Sequence, residues 1–271
     1  MDAPAGVSLR RSRKRRHGTE ILCERVFRPV AHLVVLALAP LRVPPPLVVA
    51  ASGAAGLAGA AELARGHLVV AALLVQLKTV LDNADGQLAR ATGRETAFGR
   101  YLDAEVDLLV NAALFAALGW TTGRPALAVA GLVALTAVLS VNFNAERLFR
   151  DERGEGAPAM PEGGGRPTAA LRRLYAAVYA PQDRLVERWV ERRLRGRPRR
   201  ERRAYHDSAT VTVLANLGMS TQLAVFGLLV ATGRPLAFAW LAVGELVLVG
   251  LLAVRRDALL HAVARPEKEV A

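Results

Sequence analysis

The stretch Asp82-Asn83-Ala84-Asp85-Gly86-Gln87-Leu88-Ala89-Arg90 is followed, after eight residues, by Gly99-Arg100-Tyr101-Leu102-Asp103-Ala104-Glu105-Val106-Asp107. Together they place four spaced aspartates between two long apolar runs, an expensive setting for negative charge. On a helix, Asp82, Asp85, Gly86 and Ala89 share one face, because positions three and four apart are neighbours. Gly99, Asp103 and Asp107 make a second such face by i, i+4 steps. If the two helices pack side by side, four carboxylates converge on one small volume. Like charges that close require protons or cations to neutralise them. Oxygen-only ligands with open positions suit Mg²⁺ or Mn²⁺.

The flanking sequence predicts an all-α integral membrane protein. Of 271 residues 52% are hydrophobic, yet the formal net charge is +12, and the mean hydropathy is +0.25. Apolar and basic residues are therefore segregated along the chain. That pattern excludes a basic nucleic-acid binder, because the apolar segments are too long and no aromatic-interleaved or zinc-type motif accompanies the charge. Six transmembrane helices are expected, at about Pro46–Ala64, Leu68–Arg90, Gly99–Trp120, Ala126–Glu146, Ala209–Thr232 and Pro235–Val254. Gly53, Gly56 and Gly59 in the first allow close helix approach. Turns are marked by Gly66-His67 and by Gly-Arg-Pro at Gly123 and at Gly233.

Charge fixes an expected orientation. With the N-terminus in the cytoplasm, the outer connections hold only Arg65, Arg124 and Arg234 as Lys or Arg. The inner segments hold the basic N-terminal tail, Arg90–Arg100, the connection from Arg147 to Arg203, and Arg255-Arg256. Positive charge inside selects this arrangement, and it puts the aspartates at the cytoplasmic ends of the second and third spans.

Residues 1–18 read as a basic disordered tail leaning on anionic headgroups, with no secretory signal. Residues 19–43 read as a juxtamembrane amphipathic helix in the interface, broken by Pro29 and Pro40. Residues 44–255 form the membrane domain, with a basic cytoplasmic insertion at 147–206, and 256–271 form a cytoplasmic tail. Within the insertion, 151–167 read as a flexible linker. Residues 168–203 read as a basic amphipathic segment on the membrane surface, divided by Pro181 into two helical pieces. A cover over the mouth of the site, a binding surface for another protein and a solvated helix packed on its neighbour are the other readings. Cys23 is the sole cysteine, so no disulfide framework exists. His206-Asp207 reads as a helix cap.

At the quoted residues the chain resembles the CDP-alcohol phosphotransferase family, whose signature is D-x-x-D-G-x-x-A-R, eight residues, then G-x-x-x-D-x-x-x-D. Asp82, Asp85, Gly86, Ala89, Arg90, Gly99, Asp103 and Asp107 fill every fixed position. The resemblance implies transfer of a phosphate-linked group from a CDP-alcohol donor, of CDP-diacylglycerol or CDP-inositol type, to an alcohol or alcohol-phosphate acceptor with release of CMP. Such a reaction serves phospholipid or inositol-phosphate compound synthesis. The resemblance also implies that Asp82, Asp85, Asp103 and Asp107 hold two divalent ions, with Asp107 as general base. Gly86 and Ala89 would lie against the CDP moiety, Arg90 would meet phosphate oxygens, and Gly99 would let the motif helices approach. Membrane lipids and a second copy of the chain are the implied partners, with no nucleic acid. The implied location is a bacterial inner membrane. Many family members open the first span with P-N-x-x-T, whereas Pro45-Pro46-Leu47-Val48-Val49 lacks the Asn and Thr.

Lys78, one turn before Asp82, suits anion binding or snorkelling. Arg147 and Arg150 are candidates for an acceptor phosphate, and Glu105 lies off the aspartate face. Two other classes compete. An aspartate-rich prenyltransferase requires a second such motif downstream, which the later spans lack. A cation transporter requires ionisable groups through several spans near the midplane, and only Glu62 and Glu245 lie away from the aspartate end.

Overall fold

A computed structural model describes residues 17–156 and 165–264. The basic tail, part of the linker and the end of the C-terminal tail fall outside the described residues. Regular structure among the described residues is entirely helical.

A π-helical turn at Cys23–Phe27 runs directly into α1, Arg28–Leu38. Pro29 therefore does not break this segment as expected. Proline has no N–H and crowds the carbonyl four residues back; here it sits in the first turn after a locally widened helix, where that bond is dispensable. Ala31 and Val35 are fully buried and pack with Ala84 and Leu88.

Next come α2, Pro45–Ala64, and α3, Leu68–Thr92. They are followed by α4, Ala97–Thr122, and α5, Pro125–Arg153. Gly93 and Gly123 close α3 and α4 with φ of 65° and 63°, the left-handed conformation that glycine adopts without a Cβ clash. Thr96 caps α4 by accepting from the Gly99 N–H at 3.0 Å. The two aspartate-bearing helices do not pack side by side as expected. Instead α2 lies along both. Its glycines permit this, because a Cβ on Gly53 would sit 2.7 Å from Val106 Cγ1. A Cβ on Gly56 would sit 2.5 Å from Val110 Cγ1.

The insertion forms α6, Arg166–Leu194, one helix with Pro181 inside it rather than two pieces. Gln182 Nε2 donates to the Val178 carbonyl at 3.1 Å beside the proline. The half before the proline docks on α4 and the half after it on α5, which holds the helix through the missing bond. Tyr179 Oη donates to the Ala104 carbonyl of α4 at 3.1 Å. Asp183 accepts from Ser140 and Asn144 of α5 at 3.0 and 2.6 Å, and Glu187 pairs with Arg147.

The chain then forms α7, Arg199–Tyr205, α8, Ser208–Ala215, α9, Met219–Ala231, and α10, Pro235–Ala264. The expected fifth span is thus interrupted between Ala215 and Met219. The N-terminal segment fills the break. Asn216 Oδ1 accepts from the Ile21 N–H at 3.0 Å, and Glu20 accepts from the Thr221 N–H at 3.0 Å. Glu20 thereby replaces a backbone bond that the interruption removes, while Asn216 satisfies an N–H at the start of the N-terminal helical segment. Asp207 caps α8, accepting from the Thr210 N–H at 3.0 Å.

Four helical stretches are long and apolar enough to cross a membrane: α2, α5, Arg199–Ala231 and α10. The polar motif residues keep α3 and α4 out of that set. One core runs through the helices, with Leu114, Leu118, Phe226 and Phe238 at its centre. Large apolar side chains also face outward, Val129 at 61% and Leu251 at 62% exposure, which suits a hydrocarbon surround.

Candidate active site

The site begins with the spacing of α3. Asp82 and Asp85 project from it one turn apart, while Asp103 and Asp107 project from α4 across the gap that α2 maintains. Asp82, Asp85 and Asp103 each bring an oxygen to within 4.8 Å of the others. This is the one group of three or more potential metal ligands among the described residues.

A cation fits these residues. Asp85 is buried, and its Oδ2 has no hydrogen-bond partner. An orphaned buried carboxylate oxygen carries a large desolvation cost, which an ion at this point would remove. The donors are all hard oxygens, a set that favours Mg²⁺ or Mn²⁺ over softer metals.

Asp107 is placed differently. It joins Asp82 through Lys78, whose Nζ donates to Asp82 Oδ1 at 2.7 Å and also to Asp107 Oδ1. Lys78 is 1% exposed, so it neither snorkels nor faces a soluble anion. It is an internal counter-charge. Its place four residues before Asp82 on the same face was the available signal; that its stem would lie in the recess left by Gly56 was not readable. Asp107 keeps 18% side-chain exposure.

The remaining motif positions separate. The Arg90 guanidinium folds over Gly86, where a Cβ would lie 3.2 Å from it. Ala89 is half-buried on the same helix. Gly99 does not sit where two helices touch, since a Cβ there would meet only Thr96 Oγ1; its backbone serves the cap of α4. Arg147 is held by Asn144 at 2.7 Å and by Glu187, and Arg150 Nε is buried without a partner. Glu105 is buried, with neither carboxylate oxygen hydrogen-bonded.

The sequence offers a cover over the mouth of the site as one reading of the insertion, but singles out none of the tyrosines that form it. Tyr175 and Tyr179 of α6 stack at 4.8 Å, and Tyr175 meets Tyr101 of α4 edge-on at 5.5 Å. Burial raises the proton affinity of the Tyr179 hydroxyl, and the carboxylates of Asp107 and Glu105 add to it. The hydroxyl therefore remains a donor at neutral pH. The transporter reading finds little support: Glu62 pairs with Arg65 and His67, and Glu245 accepts from Gln222 at 2.6 Å. His206, beside the capping Asp207, meets Arg256 at 3.0 Å.

Known proteins are similar to this chain over part of its length. A phosphatidylinositol phosphate synthase of Corynebacterium glutamicum is 39% identical over 83 residues, 29% of this chain and 38% of that protein. An archaetidylinositol phosphate synthase of Aeropyrum pernix is 31% identical over 118 residues, 44% of this chain and 59% of that protein. A bifunctional IPC transferase and DIPP synthase of Rubrobacter xylanophilus is 36% identical over 89 residues, 33% of this chain and 20% of that protein. The matched stretch thus spans between a fifth and three-fifths of these relatives. The family model for CDP-alcohol phosphatidyltransferases matches residues 34–190, which run from α1 through both aspartate helices into α6. Motif, converging carboxylates and apolar helices therefore agree: this multi-pass integral membrane protein belongs to the CDP-alcohol phosphatidyltransferase family.

Proposed function

We propose that this protein transfers a phosphate-linked group from a CDP-alcohol to an acceptor hydroxyl and releases CMP. The observation that carries the reading is the convergence of Asp82, Asp85 and Asp103 within 4.8 Å, with a buried, unpartnered Asp85 oxygen. Asp82, Asp85 and Asp103 hold a divalent cation, Mg²⁺ or Mn²⁺. When bound, that cation neutralises the donor's pyrophosphate and the charge developing on CMP.

The chain's own residues supply position and proton transfer. Gly86 and Ala89 leave the α3 surface low enough for the nucleotide to approach. Arg90 directs its fork of donors to a phosphate oxygen. The acceptor oxygen bonds to the phosphorus that carries the alcohol, the bond from that phosphorus to the CMP oxygen breaks, and the acceptor's proton passes to Asp107. Lys78 holds Asp107 in place for this step. Chemistry of this kind depends mainly on positioning and charge neutralisation.

The acceptor belongs to the alcohol phosphates, with inositol phosphate first among them. Two of the relatives carry an inositol phosphate product in their names. The donor is CDP-diacylglycerol or a soluble CDP-alcohol. Six spans are proposed, α3 and α4 joining the four more apolar stretches, with α1 in the interface and the site facing the cytoplasm of a bacterial inner membrane. The arginine distribution supports that orientation. Purified protein supplied with Mg²⁺, CDP-diacylglycerol and inositol phosphate should release CMP only when donor and acceptor are both present. Release independent of any acceptor points instead to donor hydrolysis.

A further inference from the structure

A cavity of about 610 Å³ lies between α5, α6, α8 and α10, within the range of about 300–1,000 Å³ typical of ligand pockets. No residue of the aspartate motif lines it. Its walls are apolar, with Ala145 of α5, Val186 of α6, Leu214 of α8, and Val249 and Gly250 of α10 among them. Gly250 opens onto empty space, since a Cβ there would meet nothing within 4 Å. On the same helix Val247, Leu251 and Val254 face outward, so the cavity adjoins a surface suited to hydrocarbon.

The rim contributed by α6 is different. Arg188 and Arg192, one turn apart, line the cavity and are exposed. Among the described residues, neither takes part in an ion pair. Of the carboxylates nearby, Glu187 is engaged by Arg147 and Asp257 by Arg193. Glu191 is exposed and pairs with neither rim arginine. Trp189 lies between the two in sequence with 37% exposure, an amphipathic ring of the kind that settles at the level of lipid headgroups. The third arginine of the lining, Arg256, is already held. It donates to the Tyr205 carbonyl at 2.9 Å and meets His206 Nδ1 at 3.0 Å.

An occupant that fits both parts is apolar along its length and anionic at one end. We propose that this cavity binds an anionic phospholipid from the leaflet on the aspartate side, with one acyl chain against α8 and α10 and the headgroup phosphate between Arg188 and Arg192. Arginine forks suit phosphate oxygens, and an acyl chain supplies the contacts that the open volume beside Gly250 lacks. The lipid is a ligand of the insertion and not the CDP-alcohol donor, whose phosphorus must reach the aspartates of α3 and α4. The site does not depend on the proposed reaction.

Trp189 reports on this cavity. Replacing Trp120 and Trp240, which are 80% and 62% exposed, with phenylalanine leaves it as the one tryptophan of the chain. That protein, in phosphatidylcholine vesicles, is titrated with phosphatidylglycerol or phosphatidylcholine carrying brominated acyl chains, and quenching of Trp189 is measured. Phosphatidylglycerol should bind on the order of tenfold more tightly, because each of two basic residues near the headgroups adds to the attraction. Arg188→Gln with Arg192→Gln should abolish that preference. Arg172→Gln with Arg173→Gln, at exposed positions of the same helix outside the cavity, should retain it. Gly250→Phe, or Gly250→Leu if the ring is not accommodated, fills the cavity and should remove the tight quenching with both arginines intact. Equal quenching by the two lipids overturns the proposal. So does an equal loss with the Arg172 and Arg173 pair, the mark of general surface charge. Displacement by CDP-diacylglycerol well beyond that by an equal amount of unbrominated phosphatidylglycerol assigns the cavity to the donor and also overturns it.

Discussion

Gly56 and Asp85 test the packing and the chemistry of the site separately. Replacing Gly56 with alanine drives a methyl group to 2.5 Å from Val110 Cγ1 and 3.1 Å from Lys78 Cγ. Overpacking of this kind costs about 1–3 kcal/mol. The same change at Gly250 of α10 meets nothing within 4 Å and should be neutral or stabilising by up to about 1 kcal/mol, from helix propensity. Thermal unfolding in detergent compares the two; equal behaviour would contradict the packing of α2 on α3 and α4. Asp85→Asn keeps the shape and removes the charge. Losing even an outer-shell partner of a metal costs about 10–100-fold, so Asp85→Asn should cut both divalent affinity and CMP release by more than about 100-fold. An unchanged gel-filtration profile would show that the fold survives.

At the scale of elements, α6 is held over the site by polar contacts, and its C-terminal end by Val190 and Leu194 in a buried apolar cluster. Asp183 carries two of the polar contacts, to Ser140 and Asn144. Hydrogen bonds to charged groups contribute about 1.5–3 kcal/mol each. Asp183→Ala should therefore release α6 and speed trypsin cleavage at its arginines by at least about tenfold; cleavage at the original rate would show that other contacts hold the helix. Much of this architecture was legible beforehand. The apolar runs and the glycine turns located each long helix to within a few residues at its start, because glycine at φ near 65° leaves few alternatives. The proline breaks were misread at Pro29 and Pro181. Proline abolishes one local bond, and whether the helix then ends depends on tertiary support that no short window contains. The break between α8 and α9 was invisible for the same reason, since its partners, Thr19, Glu20 and Ile21, lie about two hundred residues away. The carboxylate cluster was legible because its spacing is chemical. The lysine beneath it was not, because its burial depends on α2.

Across the whole molecule, the distribution of arginines supports the proposed orientation, with the aspartate end of the spans in the cytoplasm. Cys23 is 3% exposed, which leaves a quiet background for introduced cysteines. A cysteine at Arg124 or Arg234 should react with a membrane-impermeant maleimide added outside intact cells. A cysteine at Glu95 or Arg184 should react only after the membrane is opened. Labelling of Glu95 or Arg184 from outside would invert the topology, and labelling of Arg124 only after opening would remove a crossing. On the proposed topology, soluble nucleotides would reach the site directly and a lipid donor would enter sideways. The most direct measurement of the central claim is CMP release by the purified protein, with Mg²⁺ or Mn²⁺, CDP-diacylglycerol or CDP-inositol, and a panel of alcohols and alcohol phosphates. Release should require both acceptor and divalent ion, be greatest with an alcohol phosphate and be abolished by Asp107→Asn. Folded protein that binds neither divalent ion nor CDP-alcohol, and releases no CMP from any pair, would contradict that claim.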